Sequence, residues 1–416
     1  MGNNKEYERY KMLKNELDIV YRGISINRVL ALQCWFWANE NKFDFGQIKS
    51  FLKAYDFHFL TNLQEGGSLI YTNIGGRKDH EQTFLNIASR INDCYQVINK
   101  SSCLEWAFVF NLITIAKAIW LVYKNVKSQS FSKRIYIAGR VCMIMNTINL
   151  LRRLNLPEQK RLVCYSVVHE TENLLGQFFK QRGTEVFGLT HGAQIVYKKN
   201  IPLDVLNYEN LEENCLVWSQ MTKDEYVKYG IDENKLFIAG YPKNIVVTPV
   251  SQNNQMRRCL VLLCRKTYDA SNIRLLEMLE KFANEFKFSV KLHPSCDYNF
   301  YKEVCDSKGY FIIPKEILLT DCMDNSKYDF AVAVNTTSYY EIQAAGIPCL
   351  RFDDGDVYDL PRGIDNDRVA TEDEFNEAVH WLKGKIKSDE IDTIINNNLN
   401  HNLGVGIDNY REILKP

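Results

Sequence analysis

The feature that most constrains the fold is an alternation of short apolar runs with segments of helical spacing, and this alternation occurs twice along the chain. Each run is apolar on both faces and too short for a typical helix, which is typical of parallel strands covered by helices. In the second half of the chain the runs are CLVLLC (259–264), FSVKL (288–292), YFIIP (310–314), DFAVAVN (329–335) and IPCLRF (347–352). This half therefore predicts a parallel α/β sheet.

The first half shows the same pattern. Its runs are SLIYTNI (68–74), KRIYIAG (133–139), RLVCYSVV (161–168), TEVFGL (184–189), CLVW (215–218) and KLFIAG (235–240). A polar stretch without helical or strand period, VTPVSQNNQMRR at 247–258, separates the two halves. The sequence thus predicts two Rossmann-like parallel-sheet domains, with a ligand bound at the carboxyl ends of the strands and in the cleft between domains.

The predicted organisation has five parts. A helical, aromatic-rich region is followed by a first Rossmann-like domain, a linker, a second Rossmann-like domain and a tail. Return of this tail to the first domain is one alternative. Their boundaries are 1–67, 68–246, 247–258, 259–385 and 386–416.

Charge and cysteine usage narrow the class of protein. Lys plus Arg and Asp plus Glu both number 51, so the formal net charge is zero, which disfavours nucleic acid as a partner while leaving room for a local basic patch. The 12 cysteines form no C-x-x-C pair, and MGNNKEYERYK lacks a signal-peptide apolar core. We therefore expect a reduced, cytoplasmic protein.

One segment, EWAFVFNLITIAKAIWLVYKNVK at 105–127, is unusually apolar. From Ala107 to Tyr123 its strongly polar side chains are Asn111 and Lys117. A run of about 17 residues is at the short limit for crossing a bilayer. A packed structural helix is favoured. The alternative is a helix on the cytoplasmic face of the inner membrane, where it and the aromatic N-terminal region would hold a lipid-linked acceptor.

Polar residues with chemical potential follow several of the predicted strands. Because the carboxyl ends of parallel strands meet at one edge of a sheet, residues from different strands of one half converge there. The residues in question are His169, Glu170 and His191 in the first half, and Arg265, Lys266, His293 and Asn335 to Ser338 in the second.

In the second half the residue types suit a phosphorylated ligand. Pro294 prevents the loop after His293 from continuing straight into a helix, which lets the imidazole face the crevice. Thr336, Thr337 and Ser338 open a helix whose N–H groups and hydroxyls could cradle a phosphate, and Glu341 could accept hydrogen bonds from a ribose.

Each of these residues also has a purely structural interpretation. The hydroxyl residues could be N-caps with Glu341 completing a capping box, His293 and His191 could be turn residues, and Arg265 and Lys266 could be solvated. His80 is expected in a surface turn. DDGD at 353–356 is expected to be a solvated acidic loop, so no metal site and no cofactor is predicted.

Three common chemistries lack their signatures. The sequence has no G-x-x-x-x-G-K-[ST] loop, no G-x-G-x-x-G after a strand and no G-x-S-x-G elbow. Phosphate transfer by a P-loop, nicotinamide redox chemistry and α/β-hydrolase chemistry are therefore disfavoured.

Four segments in order resemble a known family. They are HETENLLGQFFKQRGTEVFGLTHG (169–192), LVWSQMTKDEYVKYGIDENKLFIAGYPKN (216–244), KLHP (291–294) and NTTSYYEIQAAGIP (335–348). Together they resemble GT-B glycosyltransferases of bacterial surface-polysaccharide synthesis, and within that fold capsule-type transferases, sialyl- and polysialyltransferases, and teichoic-acid polymerases that use CDP-glycerol. The resemblance covers residues 161 to about 385.

The resemblance implies two Rossmann-like domains facing a cleft and inverting transfer without metal. It implies that the second domain holds a nucleotide-activated sugar donor, with His293 and the hydroxyls of Thr336, Thr337 and Ser338 on its phosphates. The first domain would bind a glycan or lipid-linked glycan acceptor, with His191 as the base. A histidine near neutral pH suits removal of a hydroxyl proton, and cationic groups such as Arg265 or Lys266 suit a departing nucleotide.

The sequence departs from the sialyltransferase pattern in one respect. Those enzymes carry two acids before a glycine upstream of the His-Pro motif, whereas Asp353-Asp354-Gly355 lies downstream here. Glu170 and Glu172 are the carboxylates available upstream, so the expected base is His191 first and Glu170 second. CMP-sialic acid remains one option for the donor.

Three other functions compete with sugar transfer. They are transfer of glycerol phosphate from CDP-glycerol, nucleotide-sugar epimerisation, and a non-catalytic GT-B-like scaffold of a polysaccharide assembly complex. The scaffold would bind no nucleotide and would tolerate loss of His191 and His293.

Overall fold

The structure is a computed structural model. It describes residues 5–40, 43, 45–73, 78–91, 95–100, 104–190, 196–197, 205–243, 245–251, 256–355 and 359–415. In these ranges two six-stranded parallel sheets dominate, accompanied by three two-stranded pairs.

The N-terminal region is mainly helical, as expected, with three short strands. Its elements are α1 (Lys5–Glu16), β1 (Val20–Tyr21), β2 (Ile24–Ser25), α2 (Ile26–Val29), α3 (Ala31–Asn39), a 3-10 segment (Phe45–Leu52), β3 (Lys53–Tyr55) and a 3-10 turn (His58–Asn62). Tyr10, Leu13 and Trp37 are buried in the core that this region shares with the first sheet.

The first sheet begins directly after this region. Its chain continues as β4 (Gly67–Thr72), α4 (Lys78–Arg90), β5 (Tyr95–Asn99), β6 (Trp106–Phe108), α5 (Leu112–Asn125), α6 (Phe131–Leu151), β7 (Gln159–Tyr165), α7 (Glu170–Lys180), β8 (Glu185–Leu189), β9 (Val196–Tyr197), α8 (Val205–Glu209), β10 (Asn214–Val217), α9 (Gln220–Lys228) and β11 (Leu236–Ile238). The strand order is β11-β10-β8-β7-β4-β5, and every pair is parallel. His80 lies in the first turn of α4, so the prediction of a surface turn there is wrong.

One predicted strand of this half is also wrong. KRIYIAG (133–139) lies inside α6, a helix of 21 residues. Residues 133–136 of this run are half-buried and 137–139 are buried, so none of the seven is exposed, because α5, the 3-10 segment and β3 all pack against the helix. A helix covered on all sides shows no amphipathic period, so a short apolar run within it looks like a buried strand.

The second sheet repeats the plan. Its elements are β12 (Arg258–Leu262), α10 (Asp269–Glu280), β13 (Lys287–Lys291), α11 (Tyr298–Lys308), β14 (Phe311–Ile312), α12 (Leu319–Cys322), β15 (Phe330–Val334), α13 (Ser338–Ala344), β16 (Cys349–Phe352), β17 (Asp359–Leu360), β18 (Arg368–Val369) and α14 (Glu372–Lys387). The order β14-β13-β12-β15-β16-β18 is again parallel throughout. The five strands predicted for this half are all present.

The carboxyl ends of the two sheets face each other. β9 follows the carboxyl end of β8, β17 follows that of β16, and the two pair as antiparallel strands. A second link joins Lys243, which follows β11, to Glu341 in α13, with 2.6 Å between Nζ and Oε1. Two doubly wound sheets whose binding edges oppose each other form the GT-B arrangement, so the expected fold is confirmed.

The last part of the chain runs from the second domain back to the first. It comprises α15 (Ile391–Asn398), which packs in the core of the second domain, a π-helical turn (Leu399–Leu403) that also contacts α9, and α16 (Tyr410–Ile413), which packs against α4. The Tyr95 hydroxyl donates to the Leu414 carbonyl at 2.8 Å, and Tyr410 donates to the Gly240 carbonyl at 2.9 Å. Gly240 has φ of +98°, and a Cβ there would lie 1.5 Å from the Ile407 carbonyl oxygen, so this close approach requires glycine.

The apolar segment 105–127 is not one helix. Trp106 to Phe108 pair with β3, and α5 begins at Leu112 after Asn111, whose side chain accepts from the Thr114 N–H at 3.1 Å. In the described ranges, no helix has the length and apolar character needed to cross a membrane.

Candidate functional site

The second sheet has its topological switch point at β12. The chain next forms β13 on one side of β12, and later β15 on the other. Ligands of doubly wound sheets bind where neighbouring strands diverge in this way, because the loops that follow them leave a crevice. The loops after β12, β13 and β15 carry the residues predicted for a phosphorylated ligand.

Hydrogen bonds tie these three loops together. The Cys264 thiol lies 2.8 Å from the Asn335 carbonyl oxygen, which links the ends of β12 and β15. The Lys266 N–H donates to the Ser295 hydroxyl at 3.2 Å, which links the loops after β12 and β13. The structure therefore brings Arg265, Lys266, His293 and Asn335 to one edge, as the strand-end rule predicted.

His293 is exposed, and its ring has a defined orientation. Its Nδ1 accepts the backbone N–H of Ser295 at 3.1 Å and lies 2.9 Å from the Ser295 hydroxyl. A backbone N–H can only donate, so the neutral imidazole must carry its proton on Nε2. Nε2 is then a donor suited to a phosphate oxygen. Together with Pro294, His293 also lines a small cavity of about 100 Å³ that includes Lys291 and Lys315.

Asn335 is the most strained residue of the site. Its φ is +22°, its side chain is buried, and neither amide atom has a hydrogen-bond partner among the described residues. An unpaired buried polar group costs about 1–3 kcal/mol, and backbone strain costs about as much. Strained residues with unmet hydrogen bonds cluster at ligand sites, where a ligand supplies the missing partner.

The hydroxyl residues that follow Asn335 do not form the capping box. Thr337 occupies the N-cap position of α13, but its side chain makes no capping hydrogen bond. Thr336 Oγ1 instead accepts the Ser338 N–H at 3.2 Å and donates to Ser338 Oγ at 3.2 Å. The structural interpretation of these residues as a capping box with Glu341 is therefore wrong.

The carboxylate of Glu341 points to the other domain. Its Oε1 accepts the Tyr241 hydroxyl at 2.9 Å and the Lys243 ammonium at 2.6 Å. Burial, followed by the Glu341 carboxylate, raises the pKa of Tyr241, which keeps that hydroxyl a donor. The sequence analysis missed Tyr241 and Lys243, although both follow β11 and the strand-end rule would have found them.

Arg265 and Lys266 are both exposed, which leaves their charges accessible to a ligand. The Arg265 guanidinium lies 5.6 Å from the centre of the Tyr268 ring, a cation–π distance that orients the side chain without neutralising it.

Glu170, the second candidate for the base, is committed to an ion pair. It is the first residue of α7, and its side chain is 7% exposed. Oε1 accepts from Arg140 Nε at 3.0 Å, while Oε2 accepts from Arg140 Nη2 at 2.7 Å and from the Tyr55 hydroxyl at 2.8 Å. A carboxylate held by a bidentate guanidinium is a poor acceptor for a hydroxyl proton, because accepting it would disrupt a buried ion pair.

Glu172 lies two residues further along the first turn of α7 and is fully buried. Oε1 accepts the Asn73 N–H at 2.6 Å, and Oε2 accepts the Thr171 hydroxyl at 2.8 Å. Burial raises the pKa of Glu172 to about 7. This carboxyl group therefore titrates near neutral pH without contacting the cleft surface.

The two other candidate residues of the first half are His191 and His169. His191, the first candidate for the base, lies outside the described residues. His169 is the N-cap residue of α7 and is half-buried at the carboxyl end of β7, although its side chain does not cap the helix.

The two described pairs of acids and arginines show that Asp353 and Asp354 of the acidic loop are not solvated. Asp353 is buried and accepts from Arg368 Nε at 2.8 Å, and Asp354 pairs with Arg274 at 2.6 Å. The expectation of solvated acids was wrong, since both carboxylates are neutralised by arginines. No group of three or more metal-ligating side chains occurs in the described part of the chain.

Comparison with known proteins gives fold relatives only. No protein-family model matches the sequence, and neither does any curated protein. Among solved structures, the lipopolysaccharide outer core galactosyltransferase WaaB in its apo form is 12% identical, with 84% of this chain and 99% of that chain covered and a TM-score of 0.49.

Two further solved structures cover most of the chain. The UDP-GlcNAc 2-epimerase from Neisseria meningitidis bound to UDP-GlcNAc is 13% identical over 84% of this chain and 98% of that chain, with a TM-score of 0.45. The wall teichoic acid polymerase TagF is 11% identical over 88% and 90%, with a TM-score of 0.43. At such identities and TM-scores the function has to be argued from the residues of this chain.

Proposed function

We propose that the protein is an inverting GT-B glycosyltransferase. It moves a sugar from a nucleotide-activated donor to a hydroxyl of a glycan or lipid-linked glycan of the bacterial surface. The observation that carries this proposal is the edge at β12, where an exposed imidazole, two exposed cations and a hydroxyl-rich turn converge on strained Asn335. These groups suit the phosphates of a nucleotide.

In this mechanism the second domain stabilises the leaving group. The acceptor oxygen attacks the anomeric carbon while the bond from that carbon to the donor phosphate breaks. His293 Nε2–H, the hydroxyls of Thr336 and Ser338, and the charges of Arg265 and Lys266 offset the charge that develops on the departing nucleotide. These hydrogen-bond donors and cations act on the phosphates without a metal ion, and we propose this metal-independent mechanism here.

The first domain supplies the acceptor side. His191 is proposed as the base that takes the acceptor proton, because it comes two residues after the end of β8 in the sequence and histidine suits removal of a hydroxyl proton. Glu170 is proposed to position Arg140 and Tyr55 instead of acting as the base, since both of its oxygens are already bonded.

Nucleotide binding is the first test of this function. Thermal melting is measured with CMP, CDP, UDP, GDP, dTDP and CDP-glycerol on the natural protein, on His293→Ala and on His380→Ala. His380 is a matched control, because it is an exposed histidine of the same domain in α14. A ligand at a hundred times its Kd stabilises the folded state by about 2.7 kcal/mol, so binding raises the Tm.

The pattern of responses discriminates between the functions. A rise in Tm with CMP that is lost in His293→Ala but kept in His380→Ala supports a sialic-acid-type donor. A response to UDP or GDP supports an ordinary sugar donor. A response to CDP-glycerol and to no other nucleotide supports transfer of glycerol phosphate. No response to any nucleotide, or an equal loss in His380→Ala, contradicts the donor site proposed here and favours a scaffold.

A further inference from the structure

The most exposed apolar surface of the protein lies around α5. Six large hydrophobic side chains between residues 108 and 131 are more than half exposed, against four in the rest of the described chain. The six are Phe108 (77%), Phe110 (62%), Leu112 (66%), Ile113 (81%), Trp120 (57%) and Phe131 (70%), and we call them the aromatic surface. Soluble proteins rarely expose so many large apolar groups in one segment unless a partner covers them.

Incomplete packing of α5 does not explain this exposure. The helix already has a buried face, formed by Thr114, Ala118 and Val122, that packs towards α6. At 100° per residue, Leu112, Ile113 and Trp120 lie on the opposite face. The helix is therefore apolar on two faces, and the fold covers one of them.

The segment that carries the aromatic surface is basic, although Glu105 directly precedes it. From Trp106 to Arg134 the sequence contains five basic residues and no acidic residue, although the whole chain has zero net charge. Lys117 and Lys124 lie at the margin of the outer face of α5, and the Lys124 ammonium is 5.0 Å from the centre of the Trp120 ring. Among acidic side chains, Glu16 hydrogen-bonds to this segment, where it accepts from the Ser128 hydroxyl.

We propose that the aromatic surface docks the protein on an anionic lipid bilayer, with α5 lying in the plane of the interface. Exposed aromatic and aliphatic side chains beside lysines are the combination that such helices use, since the apolar groups enter the headgroup region and the lysines meet anionic headgroups. A protein partner would require no such excess of positive charge.

The surface adjoins the edge of the first sheet at which an acceptor would bind. The Trp106 ring is 4.6 Å from the Tyr55 ring, and the Tyr55 hydroxyl donates to Glu170 at the start of α7. Docking would thus bring the carboxyl ends of the first sheet close to the bilayer. Binding to vesicles does not depend on transferase activity, so it can be tested separately.

The test is cosedimentation of the full chain with vesicles of phosphatidylcholine alone or of phosphatidylcholine with phosphatidylglycerol. The disrupting variant is Leu112→Ser with Trp120→Ser. Its matched control is Phe311→Ser with Leu318→Ser, because these side chains are 62% and 64% exposed in the second domain. A third variant, Lys117→Gln with Lys124→Gln, removes charge without changing the apolar groups.

We expect the natural protein to bind the anionic vesicles. Its affinity for them should fall more than about tenfold in the apolar variant and by about fivefold per lysine in the charge variant. The control variant should bind as tightly as the natural protein. The proposal is overturned if the natural protein stays in the supernatant with anionic vesicles, or if all variants bind equally. It is also overturned if the protein dimerises without vesicles and the apolar variant does not, since a second copy would then cover the surface.

Discussion

Replacement of Glu172 by Gln should make the stability of the first domain less sensitive to a rise in pH from about 4.5 to 7. In the folded protein the pKa of Glu172 is about 7, raised from 4.5 by burial. Between these two values the unfolded chain releases the proton while the folded protein retains it. The folded state then binds more protons than the unfolded state, so this group makes stability fall as the pH rises from about 4.5 to 7.

The size of the effect follows from the two pKa values. At pH 5 the ionisation of Glu172 favours the unfolded state by about 0.8 kcal/mol, and at pH 8 by about 3.4 kcal/mol. Glutamine does not ionise, and it can keep both hydrogen bonds, because its oxygen can accept from Asn73 while its amide donates to Thr171. Relative to the natural protein, Glu172→Gln should therefore gain about 2.5 kcal/mol between pH 5 and pH 8.

Hydrogen exchange of α7 is the suitable assay, because a two-domain chain does not unfold in one step. Comparison of the two proteins at the same pH cancels the pH dependence of intrinsic exchange. Protection of α7 amides in the variant, relative to the natural protein, should rise by nearly two orders of magnitude from pH 5 to pH 8. An equal ratio at both pH values, or the same rise in the exposed control Glu316→Gln, would refute the reasoning.

Three further perturbations test other parts of the structure. Gly240→Ala should lower the Tm far more than Gly183→Ala, because both glycines have positive φ but only Gly240 faces a backbone oxygen; equal losses would contradict the close approach. Arg140→Met should lower the free energy of unfolding, measured by chemical denaturation, by about 3–5 kcal/mol, because it leaves the Glu170 carboxylate buried and unpaired. Adding Glu170→Gln should restore part of that free energy. Asn335→Gly should raise the Tm by removing strain and unpaired polar atoms, yet weaken nucleotide binding in the same melting assay; unchanged binding would remove Asn335 from the site.

Five of the six strands of the second sheet were predictable because each is a short, largely apolar run bounded by polar turns, whereas the two-residue β18 was missed. β5 was missed because it is an edge strand, in which Gln96, Val97 and Asn99 are exposed, so its composition resembles a loop. The misassignment of the first part of α6 has the opposite cause, since none of residues 133–139 is exposed and the polar side that identifies a helix is missing. In both cases tertiary position, which the local pattern does not contain, decides the element.

The edge proposed here for the donor could be predicted because parallel topology places strand ends together regardless of side-chain detail. The partners of those residues could not. Arg140 binds Glu170 from α6, of which only the preceding residues 133–139 were predicted as a strand. The arginines that neutralise Asp353 and Asp354 come from β18 and α10, respectively. Charges that look solvated in a sequence become buried pairs when distant elements meet, so local spacing overestimates how many carboxylates are available for chemistry.

Glu341 illustrates how the two levels combine. The sequence suggested that it accepts hydrogen bonds from a ribose, and the structure shows it joining α13 to Tyr241 and Lys243 of the first domain. Both contacts end on Oε1, so a ribose hydroxyl could donate to Oε2 without displacing either. In that case donor binding would orient the same carboxylate that holds the two domains together, and occupancy of the donor site would be coupled to closure of the cleft.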